Sequence, residues 1–524
     1  MRILQRLVIF SHRYLGIAVS LMCVVWFASG FVMMYAGGMP RVTEQVRLER
    51  QPRLDLSQVK LTPAEAAQRL EGGGEPGRAE LRTVLQRPAY RFDAPNGETV
   101  FADDGEILQG VDLEASRSIA ARFLNVPTDR IRFDRTIEEP DQWTLLIRGA
   151  GTLHKFAVDD GAHTEVYVSP RTAEVVQVTT RAKRALAWVG TIPHWLYFTA
   201  LRTNQPLWYQ LVVWLSAAAS VLALLGLVLA FTQWRRTRPF QLSKAIPYRG
   251  WMRWHYILGA VFGVFALTWA FSGLVSMEPW DWTNARGLEI QRDALTGGRP
   301  DLARFGTIDA AAFARALNGR VLKVVGFARL QDHYYYTLAS TEGPARPEPQ
   351  LERLHQPYLV ARRGEPGRLL VSAETFELRS EPFSVDLILD RLKSAVPEAP
   401  IVEHTLLSDY DSYYYSRGGQ SPLPVLRVKF GDPLETWVYI DPRMGEMLSQ
   451  VHRYSRVERW LYNGLHSLDF KFWYSQRPLW DIGMIVLLLG GLGSSVLGLY
   501  LGVKRLIRDF APSREPQKKA LGAT

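Results

Sequence analysis

Four runs of mostly apolar residues constrain this chain more than any other feature. They cover 14–35, 208–231, 256–277 and 482–503, and none contains a charged residue. At about 1.5 Å of rise per residue, each is long enough to cross a hydrocarbon layer of about 30 Å as a helix. Buried helices of soluble proteins are usually shorter. The first run is expected to be a retained helix rather than a cleaved signal. Its apolar core is too long, and Gly37-Gly38-Met39-Pro40 offers no small-x-small cleavage site.

Basic residues set the expected orientation. Arg2 and Arg6 precede the first run, Arg235, Arg236, Arg238, Lys244, Arg249 and Arg253 crowd the connection between the second and third, and Lys504, Arg505, Arg508, Arg514, Lys518 and Lys519 follow the fourth. The positive-inside rule places these segments in the cytoplasm, with both termini inside. Residues 41–185 and 279–455 are then periplasmic, and the chain is expected to be a multi-pass protein of a bacterial inner membrane, in contact with lipid. The net charge of +10 is thereby a topology signal. Basic residues beside spans form no separate basic domain, so no nucleic-acid partner is expected. The single cysteine, Cys23, lies within the first run. Disulfides, Cys-based zinc sites and covalent c-type haem attachment are therefore excluded.

The chain also matches itself. A shift of 243 positions carries His12 onto His255, Gly16 onto Gly259, Trp26 onto Trp269, Ser29 onto Ser272 and Gly30 onto Gly273. A shift of 272 carries Arg184 onto Arg456, Trp188 onto Trp460, His194 onto His466, Pro206 onto Pro478, Trp208 onto Trp480 and Gly226 onto Gly498. The expected fold class is a membrane α-helical bundle of four spans, a tandem 2+2 repeat, with α+β outer regions. Its expected order is a first span in 1–40, an outer region over 41–185, a His-bearing segment and second span over 186–235, and a loop over 236–250. A third span over 251–278, an outer region over 279–455, a His-bearing segment and fourth span over 456–503, and a basic tail over 504–524 follow.

Within the outer regions, helices are expected at 62–70, 114–124, 308–317 and 384–393. Strands are expected at 81–85, 90–92, 99–101, 143–147, 155–158 and 165–168, then at 321–327, 333–338, 425–429, 436–440 and 447–451. Asn96-Gly97 and Asp104-Gly105 read as hairpin turns, and residues 346–349 as an exposed loop. The pattern predicts four small helix-plus-hairpin units, two in each region.

Of ten histidines, four recur at matching places: His12 with His255, and His194 with His466. A histidine in a membrane is costly without a partner or a function. Neutral imidazole is the usual axial ligand of a b-type haem, and two of them make a six-coordinate electron-transfer iron. The bland alternative is an interfacial anchor copied by duplication. On the haem reading, His12 and His255 hold one group and His194 and His466 a second. Arg13 and Arg253 would meet the propionates, or serve only as topology charges. Trp26 and Trp269 are expected between the two levels, as relays or as packing residues.

The motifs His12-Arg-Tyr-Leu-Gly16…Ser29-Gly30 and His255-Tyr-Ile-Leu-Gly259…Ser272-Gly273 share one pattern. So do His194…Pro206-Leu-Trp…Gly226 and His466…Pro478-Leu-Trp…Gly498, and Tyr439-Ile-Asp-Pro-Arg-Met-Gly-Glu446 has the form of a PepSY strand and turn. From about residue 1 to 510, the chain resembles the PepSY-associated transmembrane family, which includes inner-membrane ferric-siderophore reductases. That resemblance implies PepSY-like outer units, bound b-type haem, a role in iron uptake and a ferric chelate as periplasmic electron acceptor; the depth of about 30 Å from His12 to the outer end of its helix makes the expected haem count two. It departs from the family pattern in carrying Trp195 and Ser467 after the second-span histidines, where glycine is frequent. No nucleotide-binding fingerprint is visible, so electrons are expected from a quinol or a cytoplasmic reductase. Two rival functions stand beside this: a membrane-anchored PepSY binding or regulatory module without redox activity, and a transporter. Against the transporter, the spans contain no acid or base for coupling.

Overall fold

The computed structural model describes residues 2–70, 77–93, 97–147, 149, 151–239, 241–281, 287–341, 368–415 and 421–510. Asn96, residues 346–349 and the basic residues Arg514, Lys518 and Lys519 lie outside them. Among the described residues four helices are long and apolar enough to cross a membrane: Ile3–Ala36, Gln205–Thr232, Gly250–Val275 and Leu479–Phe510. The first, second and fourth of these spans run past the apolar limits at both ends, because helical geometry continues into the polar flanks; the third starts six residues early and ends two short. The first and third spans each pack along the second and the fourth. The bundle is thus a ring in which the first and third spans occupy opposite corners.

Both regions between paired spans rise from one end of this bundle, the sheet end. The connection 233–249 and residues 504–510 lie at the other, the loop end. Among the described residues, three antiparallel sheets fill the sheet end. One has four strands in sequence order: Ile131–Ile137, Leu153–Val158, Glu165–Ser169 and Glu174–Thr179. Helix Leu113–Leu124 covers it, capped by Asp112 at its start and by left-handed Asn125 at its end. A second has the same layout: Ile401–Leu407, Val425–Phe430, Trp437–Asp441 and Glu446–Val451, covered by Ser384-capped helix Val385–Ala395.

The third sheet departs from the expected four separate units. Ala79–Val84, Arg87–Phe92 and Thr99–Phe101 from the first region join Val321–Leu330, His333–Thr341, Arg368–Ser372 and Leu378–Arg379 from the second, in one seven-stranded sheet. The seam pairs Glu80 with Gly326, Leu81 with Val325 and Arg82 with Val324. Its core runs across the seam, through Tyr90, Phe92, Phe305, Phe313 and Tyr336. The expected helix at 62–70 is shorter, Pro63–Ala67, with a complete Thr62–Glu65 capping box.

The expected strand at 143–147 is a turn. Asp141 accepts hydrogen bonds from the backbone of Trp143 and Thr144 and from the Thr144 hydroxyl, and this local closure outcompetes sheet pairing. The strand in that place is Ile131–Ile137, a sheet edge whose five central residues are exposed, so it lacks apolar alternation. Ile401–Leu407 escapes notice for the same reason, with no buried residue in its seven.

Candidate functional site

The bundle encloses a cavity of about 2090 Å³ that runs from one end to the other. All four repeated histidines line it, as do Gly16, Gly30, Gly226, Gly259 and Gly498. Among the described residues no group of three or more His, Cys, Asp or Glu side chains gathers at metal-binding range. The histidines instead meet in twos.

At the loop end, His12 of the first span and His255 of the third face each other across the ring, with ring centres 6.3 Å apart. His12 Nδ1 lies 3.1 Å from the Leu222 carbonyl of the second span, and His255 Nδ1 lies 3.0 Å from the Ser494 carbonyl of the fourth. A carbonyl only accepts, so each Nδ1 carries the proton and each Nε2 keeps its lone pair. Glycine makes room for the rings. A Cβ on Gly226 would stand 3.0 Å from His12 Cε1, and one on Gly498 would stand 3.2 Å from His255 Cε1.

At the sheet end, His194 and His466 have ring centres 6.1 Å apart. They sit on short helices, Thr191–Trp195 and Leu465–Ser467, which pack on the first and third spans respectively. His194 Nδ1 is 3.1 Å from Ser29 Oγ, and His466 Nδ1 is 2.9 Å from Ser272 Oγ. Each hydroxyl gives its own proton to a carbonyl of its helix, Val25 at 2.6 Å or Trp269 at 3.0 Å. Its oxygen is thereby free to accept from the imidazole, and the same tautomer results. The Ser-Gly pair noticed in the first span thus splits its work: Ser29 orients His194, and Gly30 leaves 3.4 Å between its would-be Cβ and the ring.

Ser29 follows His12 by seventeen residues, and Ser272 follows His255 by the same count. The two histidine levels are therefore about 25 Å apart along the helices. Trp26 lies between them but close to the sheet-end level. It stands one turn from Ser29 and donates Nε1 to the His194 carbonyl at 3.0 Å, which fixes the short helix against the span. Trp269 holds the matching place in the third span and lines the cavity. Midway, Gly490 and Gly491 of the fourth span lie against Phe262 and Phe27, and a Cβ at either would meet ring carbon within 2.5 Å.

Arg13 lines the cavity beside His12, whereas Arg253 is not among its lining residues. Further cations line the cavity: Lys504, Arg505 and Arg508 at the loop end, expected only as topology charges, and Arg459 and Arg477 at the sheet end, which carried no sequence signal. Arg459 is notable. Its Nε and Nη2 donate to the Ser412 and Asp469 carbonyls, both at 2.9 Å, while its buried Nη1 has no partner among the described residues. It precedes a π-helical turn, Trp460–Gly464, that delivers His466. Tyr413 and Tyr415 also reach the cavity, and Tyr415 donates to Asp469 at 2.9 Å. Tyr334, Tyr335 and Tyr336 belong instead to the sheet cores.

The fold and site define a four-span membrane protein with a histidine-lined central cavity. More particularly, the chain belongs to the PepSY-associated TM region family, whose model matches residues 10–307. That match covers three spans and three of the four histidines. No curated protein matches the chain.

Proposed function

We propose that this protein is a haem-bearing electron conduit of the inner membrane, reducing a ferric chelate on its periplasmic side. The observation that carries it is the pair of facing histidine couples in one cavity. An iron held at about 2 Å by two imidazole nitrogens, each about 1.1 Å from its ring centre, needs ring centres about 6.2 Å apart. The observed 6.3 and 6.1 Å fit that span. Two imidazoles alone underfill the six-coordinate sphere of an electron-transfer iron, so the donor set suits an iron that arrives with its own further ligands. The cavity is about twice the upper size of an ordinary small-molecule pocket, which suits two such groups.

When bound, b-type haem supplies one-electron chemistry at each level. The chain's own residues do the rest. His12 with His255, and His194 with His466, offer unprotonated Nε2 atoms. Leu222, Ser494, Ser29 and Ser272 hold their rings in that tautomer. Arg13 and the unpartnered Nη1 of Arg459 suit propionates at the two ends. The residue sets of the halves support a tandem repeat, because the orienting partners stand at the same offsets as the histidines: Ser29 to Ser272 by 243, and Leu222 to Ser494 by 272. The basic loop end, on this reading, faces the cytoplasm and the sheets face the periplasm. Ferrous iron binds hard-oxygen chelators less tightly than ferric iron, so reduction outside releases it.

The test is a visible spectrum of protein purified from haem-replete cells. Reduction is expected to give the sharp α and β bands of bis-histidine haem, at two haems per chain by pyridine haemochrome. Protein that is folded and free of haem refutes the proposal.

A further inference from the structure

We propose that the loop end of the bundle is the docking surface of a small acidic one-electron carrier protein, the electron donor that the conduit needs. This rests on the conduit reading and deepens it. Residues 2–13, 233–255 and 504–510 together hold twelve Lys and Arg against one acid, Asp509. Asp509 is itself taken up by Arg505, at 2.6 Å. Topology asks only that such charges lie near span ends. Here Arg13, Lys504, Arg505 and Arg508 stand around the cavity itself, on the seam of the first and fourth spans, while Tyr248 and Met252 line the facing side. Arg13 adjoins His12. Lys504 is six residues past Gly498, the glycine that backs His255, or about 9 Å along the helix. A cationic rim with an apolar centre, close to the buried centre that must be reduced, is the complement of an acidic redox protein.

The chemistry of the site also separates this donor from a quinol. A quinol gives up two electrons and two protons, and the protons need a base. Among the described residues the only acid lining the cavity is Glu458, which belongs to the sheet end. The loop-end imidazoles already spend their Nδ1 protons on the Leu222 and Ser494 carbonyls, and on the conduit reading their Nε2 atoms are taken up as ligands. A carrier with an iron–sulfur cluster or flavin semiquinone gives one electron and no proton. One electron leaves the carrier, which is oxidised by one unit, and one enters the His12/His255 level, with no bond made or broken.

The probe is an acidic [2Fe–2S] ferredoxin, with the full-length protein in nanodiscs of neutral phosphatidylcholine. Reduced ferredoxin is expected to reduce the protein with a second-order rate that falls at least tenfold between about 20 and 200 mM salt. Arg235→Glu with Arg236→Glu, both exposed and outside the cavity lining, is expected to lower the low-salt rate at least tenfold, with haem content and midpoint potentials unchanged. Oxidised ferredoxin is expected to bind the native protein by interferometry whether or not haem is present, and to bind the double variant at least tenfold more weakly. Binding without any haem would sink the conduit and leave the docking surface standing. Haem without ferredoxin binding would sink the docking surface alone. Salt-independent reduction, rapid reduction by neutral duroquinol with ferredoxin inert, or loss of ferredoxin binding in phosphatidylglycerol nanodiscs at equal salt would each overturn the proposal, the last by assigning the patch to lipid headgroups.

Discussion

Alanine at position 226 adds a Cβ 3.0 Å from His12 Cε1 and 3.6 Å from its Nδ1. Ordinary van der Waals contact begins near 3.4 Å, so the ring must retreat by about 0.4 Å. It cannot retreat freely, because Nδ1 is tied to the Leu222 carbonyl one turn earlier on the same span. Disturbing such a ligand-orienting contact typically costs about 10- to 100-fold in metal affinity. The effect on the helix has the opposite sign, since Gly→Ala inside a helix favours folding by about 1 kcal/mol. Gly226→Ala is therefore expected to raise or hold the thermal midpoint of haem-free protein while emptying the loop-end level. Haem per chain should fall from two towards one by pyridine haemochrome, with one of two reductive waves lost in a redox titration. Gly16→Ala is the control, since its Cβ would meet nothing closer than Leu222 Cδ1 at 3.7 Å. Full haem content in Gly226→Ala, or equal loss in Gly16→Ala, would refute the reasoning.

Ser272→Ala removes the acceptor of the His466 Nδ1 proton and frees the ring to turn. It should weaken haem at the sheet-end level about tenfold, read by titrating hemin into haem-free protein, with Ser272→Thr restoring it. An unchanged affinity would leave the serine a packing role only. Glu174 ties the first four-stranded sheet to the seven-stranded one through Arg82 at 3.0 Å and Arg91 at 2.6 Å. Burial pushes its carboxyl up, but Arg91 and Arg82 outweigh burial and hold it below the usual carboxylate range. A depressed folded value gives stability that is fully present above the unfolded value of about 4.3 and is lost as pH falls through the folded one. Glu174→Gln should thus lower the thermal midpoint at pH 7 and flatten its decline below about pH 4. Parallel native and variant curves from pH 7 to 3 would contradict this.

The spans were legible because length and apolarity alone decide whether a helix can live in lipid. The histidines were legible because each recurs at a fixed offset, which singled out four of ten before any distance was known. The sheet seam was not legible. Nothing in the alternation of Ala79–Val84 distinguishes an edge open to solvent from one paired with Val321–Leu330, more than two hundred residues away. Exposed edge strands such as Ile131–Ile137 hide for a related reason, since they bury too little to carry a pattern. Trp26 was legible as lying between the levels, three residues short of Ser29; its bond to the His194 carbonyl was not, because His194 reaches it only through the docking of a short helix.

That docking also decides how the histidines pair, and the pairing has a consequence that single substitutions can expose. Every orienting bond lies within one half: His12 with Leu222, His194 with Ser29, His255 with Ser494, His466 with Ser272. Every facing couple joins the two halves. Pairing within a half is impossible, because His12 and the Ser29 level that holds His194 are about 25 Å apart. A half can therefore shape two ligands but complete neither couple. His194→Ala and His466→Ala should each remove the same haem, seen as loss of the same reductive wave, and His12→Ala and His255→Ala should each remove the other. If His12→Ala and His194→Ala removed one wave while His255→Ala and His466→Ala removed the second, each half would be a self-contained unit, and the cross-half wire would be wrong.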